Sequence, residues 1–355
     1  MSSSSFSKDG KWIAYAISKA GSDWLTIKVR NVDTNEDLPD ELEHCKFTCI
    51  SWTHDNLGFF YSRYEKQGDV LKESDANQNH KLYYHRIHTP QTDDVLAYDI
   101  PDKPKYMIHG TVSDCGKILH LSISEKCRDS IWYYAKLDGN LPIKQRLAVH
   151  PIIETFEFKS EYDYITNNEN LVYFKTNRDA PNFRVCRLDL NSAEPGNTKN
   201  WLDIIPEDEK AVLDDAICVD EDKLAVIHMR DVINHIEIRY LETGQLFKKL
   251  DIPIGTITSF SGKRTLNEIF FYVTSFLSPG VIYHYDFKST EDNLKVFMQI
   301  KLKDFDANDY VTKQVFFETK DGQVKVPLFI THHKDVQLDS NNPCILYGYG
   351  GFSIR

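Results

Sequence analysis

A repeat constrains this chain more than any other feature. Six times the sequence runs through a turn, an aromatic-rich strand, a second turn and another strand with alternating apolar residues. The first copy has Ser7-Lys-Asp-Gly10 before Trp12–Ile17, then Trp24–Val29, and the second has Trp52-Thr-His-Asp55 before Phe59–Tyr61, then Lys81–His85. The third pairs Ile118–Ile123 with Ile131–Tyr134, the fourth Asn170–Phe174 with Phe183–Leu188, the fifth Lys223–His228 with Ile236–Tyr240, and the sixth Ile269–Val273 with Val281–Tyr285. Starts fall about 45 to 60 residues apart, close to the spacing of propeller blades. Four-stranded sheets that cannot cover both faces alone can cover one another around an axis. A pair of β-sandwiches also has short strands and turn signals, but without this longer period. The expected fold is therefore mainly β, a β-propeller.

The period breaks near Asp304. Val311–Glu318 and Val324–Ile330 read as a hairpin across Thr319-Lys-Asp-Gly322, with Asp-Gly at its tip. The polar turn Asp339-Ser-Asn-Asn-Pro343 then leads into an expected strand, Cys344–Tyr347, and a Gly-rich loop, Gly348-Tyr-Gly-Gly-Phe352. An apolar strand ending in such a loop is where an α/β-hydrolase builds part of its oxyanion hole. No Gly-x-Ser-x-Gly nucleophile elbow occurs in the 355 residues.

Composition narrows the functional classes. Net charge is −11, with 53 acidic against 42 scattered basic residues, a field that repels nucleic acid. Seven Cys without a Cys-x-x-Cys fit reduced thiols better than a disulfide framework. The spacings of Cys45 with Cys49, of His228 with His235, and of His332-His333 lack the further ligands a zinc site needs, and Gly255 is not followed by a phosphate-loop lysine, so neither metal nor cofactor is expected. The opening Met1–Phe6 shows no signal peptide, and no window is apolar enough to span a bilayer. These features predict a cytoplasmic protein with no membrane partner. The polar insertion from Glu65 to His80 reads as a mobile surface loop.

Four segments resemble those of the prolyl oligopeptidase family: Gly21-Ser-Asp-Trp24, Lys46-Phe-Thr-Cys-Ile-Ser-Trp-Thr-His-Asp55, Thr274-Ser-Phe-Leu-Ser-Pro-Gly280 and Leu346-Tyr-Gly-Tyr-Gly-Gly-Phe352. The resemblance runs along essentially the whole chain. It implies a serine-type prolyl endopeptidase that cleaves short peptides on the C-terminal side of proline. By that comparison residues 1–303 supply six recognisable blades of an expected seven, the first blade missing. Residues 304–355 would be the first strands of the α/β-hydrolase domain, and the Ser, Asp and His of the triad would lie outside the sequence. The partners implied are short proline-containing peptides, the expected state is a monomer, and this stretch alone is expected to be inactive. The alternative is a non-catalytic propeller acting as a binding module.

The resemblance also assigns site residues. Tyr349 matches the tyrosine whose hydroxyl donates to the oxyanion, a task suited to a phenol that keeps its proton at working pH. Phe352 matches an aromatic of the substrate pocket. Phe47, Met107 and Cys127 match the lining of a subsite away from the proline, although by residue type alone all three read as core. Asp23 matches an acid beside a substrate-binding arginine of the hydrolase domain, and without that arginine it reads as a solvated, unpaired surface acid. Ser124 stands where mammalian members carry a basic residue.

Overall fold

Every repeat folds into one four-stranded antiparallel meander, and the reason lies in how its strands are covered. The computed structural model describes residues 3–65, 78–126, 128–139, 141–289 and 293–348. The chain divides into two compact units, Met1–Pro206 and Glu207–Arg355.

The first unit holds four sheets, each in simple sequential order. The first sheet is β1 (Ser3–Phe6), β2 (Trp12–Ser18), β3 (Leu25–Asn31) and β4 (Asp37–Cys45); the second is β5 (Ile50–Trp52), β6 (Gly58–Arg63), β7 (Lys81–Arg86) and β8 (Val95–Tyr98). The third is β9 (Met107–Val112), β10 (Ile118–Ser124), β11 (Ser130–Lys136) and β12 (Val149–Ile153); the fourth is β13 (Tyr162–Asn168), β14 (Leu171–Thr176), β15 (Arg184–Asp189) and β16 (Leu202–Ile205). The second unit contributes a fifth sheet, β17 (Val212–Val219), β18 (Lys223–Arg230), β19 (Ile233–Tyr240) and β20 (Leu246–Leu250), and a sixth, β21 (Thr256–Gly262), β22 (Glu268–Ser275), β23 (Ser278–Asp286) and β24 (Leu294–Gln299). It ends in the expected hairpin, β25 (Tyr310–Glu318) and β26 (Lys325–His333), turning at Thr319–Gly322, with Gly322 supplying the positive φ of 69°.

Strand β6 explains the packing. Phe59 and Tyr61 face the first sheet, where they join Ala14, Ala16, Ile27, Val29 and Leu42. Phe60 faces the other way, onto Leu119, Leu121 and Ile123 of the third sheet. Covered on both sides, β6 reads as a continuous apolar run, whereas β2 alternates between buried and half-buried residues. The third sheet repeats the arrangement, with Ile118 and Trp132 turned toward Val172 and Phe174 of the fourth. One sheet sandwiched between two others is blade stacking, which a pair of two-sheet sandwiches cannot supply.

First strands present an unpaired edge, and side chains of the preceding segment satisfy it. The β9 amides of Ile108, Gly110 and Val112 donate to His80 Nδ1 (2.9 Å), Cys49 Sγ (3.3 Å) and Ser51 Oγ (2.8 Å). The same device recurs elsewhere: Tyr162 N donates to Ser130 Oγ and Ile257 N to Asn234 Oδ1.

A buried charged joint links the first two sheets. His85 Nδ1 lies 2.6 Å from Asp94 Oδ1 and its Nε2 lies 3.0 Å from Asp40 Oδ2, with all three side chains almost wholly buried. Tyr61 donates to the other Asp94 oxygen at 2.5 Å.

One sequence expectation fails here. Cys344–Tyr347 is not a strand: no neighbouring strand pairs with it among the described residues, and Ile345, Leu346 and Tyr347 are at least four-fifths exposed. Without a partner the segment has no ladder bonds to hold it extended. Residues 66–77, most of the insertion read as mobile, lie outside the described residues, as do Tyr349, Phe352 and Cys127. His80, placed at the insertion's end, is in fact buried.

Two outcomes follow from this packing. Phe60→Ala should cost about 3–5 kcal/mol in urea unfolding, against less than about 1 kcal/mol for the half-exposed Phe317→Ala. Burial lowers the His85 pKa, but Asp40 and Asp94 outweigh it and raise the value overall. Its stabilisation is therefore complete below the unfolded value of about 6.5 and is lost as pH rises through the folded one. Denaturation curves at several pH values should show that alkaline loss in the wild type and not in His85→Gln.

Candidate functional site

In these meanders the turn between the second and third strands lies at the same end as the link to the next sheet. At that end of the first three sheets the chain brings together the Gly21–Trp24 turn, the Lys46–Cys49 link, the ends flanking the insertion, and the start of β9. Three predicted residues, Asp23, Phe47 and Met107, sit here.

Phe47 is not core. The residue is 48% exposed and its backbone has φ 51°, the left-handed region that a bulky side chain rarely adopts. Neighbouring groups hold that conformation in place. The carbonyl of Lys46, the residue before Phe47, meets His80 Nε2 at 3.2 Å. Met107, half-buried, begins β9 immediately before Ile108, whose amide is held by His80 and whose carbonyl accepts from Ser62 Oγ at 2.6 Å. Directly across the ladder from Met107 lies Ser124.

Asp23 is exposed, as expected, but it is not unpaired. Its carboxylate lies 3.5 Å from the ammonium of Lys46, a side chain only 4% exposed. The same ammonium sits 5.4 Å from the centres of both the Trp24 and Phe47 rings. A buried cation needs such compensation, and an acid with two aromatic faces supplies it. The sequence reading erred because it considered only the arginine absent from the chain and overlooked the lysine beside Phe47.

The aromatic surroundings continue inward. Trp24 meets Tyr64 edge-on at 5.9 Å, Tyr64 contacts His80 at 4.6 Å, and His80 lies 5.8 Å from His109. Burial pushes His80 down to about 3, with His109 adding to the shift, and burial lowers His109 as well. Both rings are neutral at physiological pH. Together with Trp24 and Tyr64 they give this end of the sheets an apolar, hydrogen-bonding surface.

Lys46, His80, His109 and Tyr64 were missed by sequence reasoning. Lys46 was visible, since it opens the motif that carries Phe47. His80 had only a weak signal, its place directly before strand β7. Two clefts, of about 490 and 540 Å³, are lined by turns at the opposite ends of the strands, around Leu141–His150 and around Trp12, Leu57 and His88. Among the described residues no cluster of His, Cys, Asp and Glu could hold a metal ion, and no helix is long and apolar enough to cross a membrane. The six described cysteines are free thiols.

Comparison with known proteins adds a lineage to this geometry. The family model of the prolyl oligopeptidase N-terminal β-propeller domain matches residues 1–298. Prolyl oligopeptidase A of Amanita bisporigera is 34% identical across 98% of this chain and 47% of its own length, and a prolyl endopeptidase of Elizabethkingia miricola is 30% identical across 99% and 47%. Among solved structures, prolyl oligopeptidase B of Galerina marginata, bound to a 35mer hydrolysis and macrocyclization substrate, superposes with a TM-score of 0.89 at 31% identity, covering 98% of this chain and 48% of that one. The chain thus spans about half the length of the curated relatives it matches.

Buried neutral histidines have a consequence for stability. His120, stacked 4.3 Å from Tyr164 with neither ring nitrogen hydrogen-bonded among the described residues, is also pushed by burial to about 3. Between about pH 3 and 6.5 the unfolded chain binds protons that these folded rings refuse, so stability falls as pH drops through that window. His120→Leu should flatten the acid limb of a stability-versus-pH curve; an unchanged limb would contradict the assignment.

Proposed function

The chain belongs to the prolyl oligopeptidase family through its N-terminal β-propeller domain, and from that membership we propose that it is the propeller part of a serine-type prolyl endopeptidase acting on short proline-containing peptides. Residues 304–355 would open the α/β-hydrolase domain. Tyr349 would donate its hydroxyl to the oxyanion, and Phe352 would line the proline pocket. The propeller's share is exclusion of large substrates together with a subsite formed by Phe47, Met107 and Cys127, with Asp23 at its edge.

The observation that carries this reading is the presentation of Phe47. A large aromatic is held in a left-handed backbone with half its surface open, and such strain persists only where the surroundings impose it. Strain of this kind concentrates at binding sites. In place of a basic side chain, Ser124 lies opposite Met107, so the subsite would favour uncharged over acidic peptide residues.

Two measurements test the proposal. The purified 355-residue chain should not hydrolyse a succinyl-Gly-Pro fluorogenic substrate, since its sequence has no nucleophile elbow; hydrolysis blocked by an inhibitor of active-site serines would contradict it. A labelled Gly-Pro peptide carrying an aromatic N-terminal cap should bind the chain, and Phe47→Ala should weaken that binding about tenfold in fluorescence anisotropy. Equal affinities would remove Phe47 from the site.

A further inference from the structure

His80 does more than fill space between sheets, and its hydrogen bonds define what it does. The Ile108 amide can only donate, so the Nδ1 that receives it at 2.9 Å carries no proton. A neutral ring then has its proton on Nε2, which faces the Lys46 carbonyl at 3.2 Å and donates to it. One imidazole therefore ties two separate segments together. On one side is the residue preceding Phe47, on the other the residue following Met107.

Part of this arrangement is generic. Ser130 and Asn234 stand, like His80, at the start of a third strand, and each accepts an amide from the first strand of the next sheet. The generic bond explains the contact with Ile108. It does not explain the second one, because Asn234 leaves its own donor Nδ2 unpaired among the described residues while His80 directs its donor at the turn bearing Phe47.

We propose that His80 is a positioning residue for peptide recognition, holding the strained Lys46–Phe47 turn at a fixed spacing from Met107 so that the aromatic ring is offered to the ligand. The inference rests on the subsite reading given above. It adds that the preference for an apolar group at this subsite depends on a buried residue that does not touch the peptide.

The test separates the two ideas. Anisotropy with two labelled Gly-Pro peptides, one aromatically capped and one acetyl-capped, gives an affinity ratio that reports the subsite to which Phe47 contributes. In wild type the aromatic cap should be preferred by about tenfold. His80→Leu keeps an apolar side chain of similar size but loses both bonds, and the ratio should fall to near one. His80→Gln carries a donor and an acceptor in one amide and should recover most of the preference. If the wild-type chain binds neither peptide, the subsite reading fails. If it binds them and His80→Leu keeps the full ratio while remaining folded by circular dichroism, the positioning role is overturned. Long-range ¹⁵N correlation spectra of the wild-type imidazole provide a check that needs no variant: a protonated Nε2 with a bare Nδ1 agrees with the clamp, and a proton on Nδ1 rules it out.

Discussion

Burial of β6 on both faces is the constraint on which the rest of the first unit depends. Phe59 and Tyr61 fill the space against the first sheet and Phe60 fills it against the third, so neither neighbour can slide without opening a cavity under an aromatic ring. Packing at this density fixes where the strand ends fall. The link Lys46–Cys49, the flanks of the insertion and the start of β9 then meet at one end, where the candidate subsite is assembled.

Polar groups add specificity to that apolar frame. The amides on the free edge of β9 are received by His80, Cys49 and Ser51, which prevents the edge from remaining open and sets the register between link and strand. Two buried charges are handled differently. His85 is flanked by Asp40 and Asp94 inside the joint, while Lys46 is compensated by one exposed acid and two ring faces at its rim. The second arrangement places the ammonium against the Phe47 ring and still leaves the residue about half open.

The sequence revealed the strands that carry aromatic runs and little else of each sheet. Second and third strands such as Trp12–Ser18 and Lys81–Arg86 are legible because burial forces apolar patterning on them. First and fourth strands are not: β5 has three residues, and Asp37–Cys45 is mostly polar because only alternate side chains face inward. At the candidate site, Asp23 and Phe47 lie in segments that carry the family resemblance and Met107 was matched by the resemblance alone, but their environments were not legible. Phe47 reads as core until its positive φ is known, Asp23 reads as unpaired until Lys46 is seen beside it, and His80 reads as loop because hydrogen bonds between distant segments leave no periodicity. The apolar run Cys344–Tyr347 looked like a strand for the opposite reason, since local patterning cannot say whether a pairing partner is present.

We propose that a proline-containing peptide is recognised at the end of the sheets where Phe47 and Met107 stand. Intermolecular nuclear Overhauser contacts between a bound Gly-Pro peptide and the assigned chain locate the ligand most directly. The account predicts cross-peaks from the peptide to the Phe47 ring and the Met107 methyl group. Cross-peaks instead to Trp12, Leu57 and His88, which line the cleft at the opposite strand ends, would contradict it.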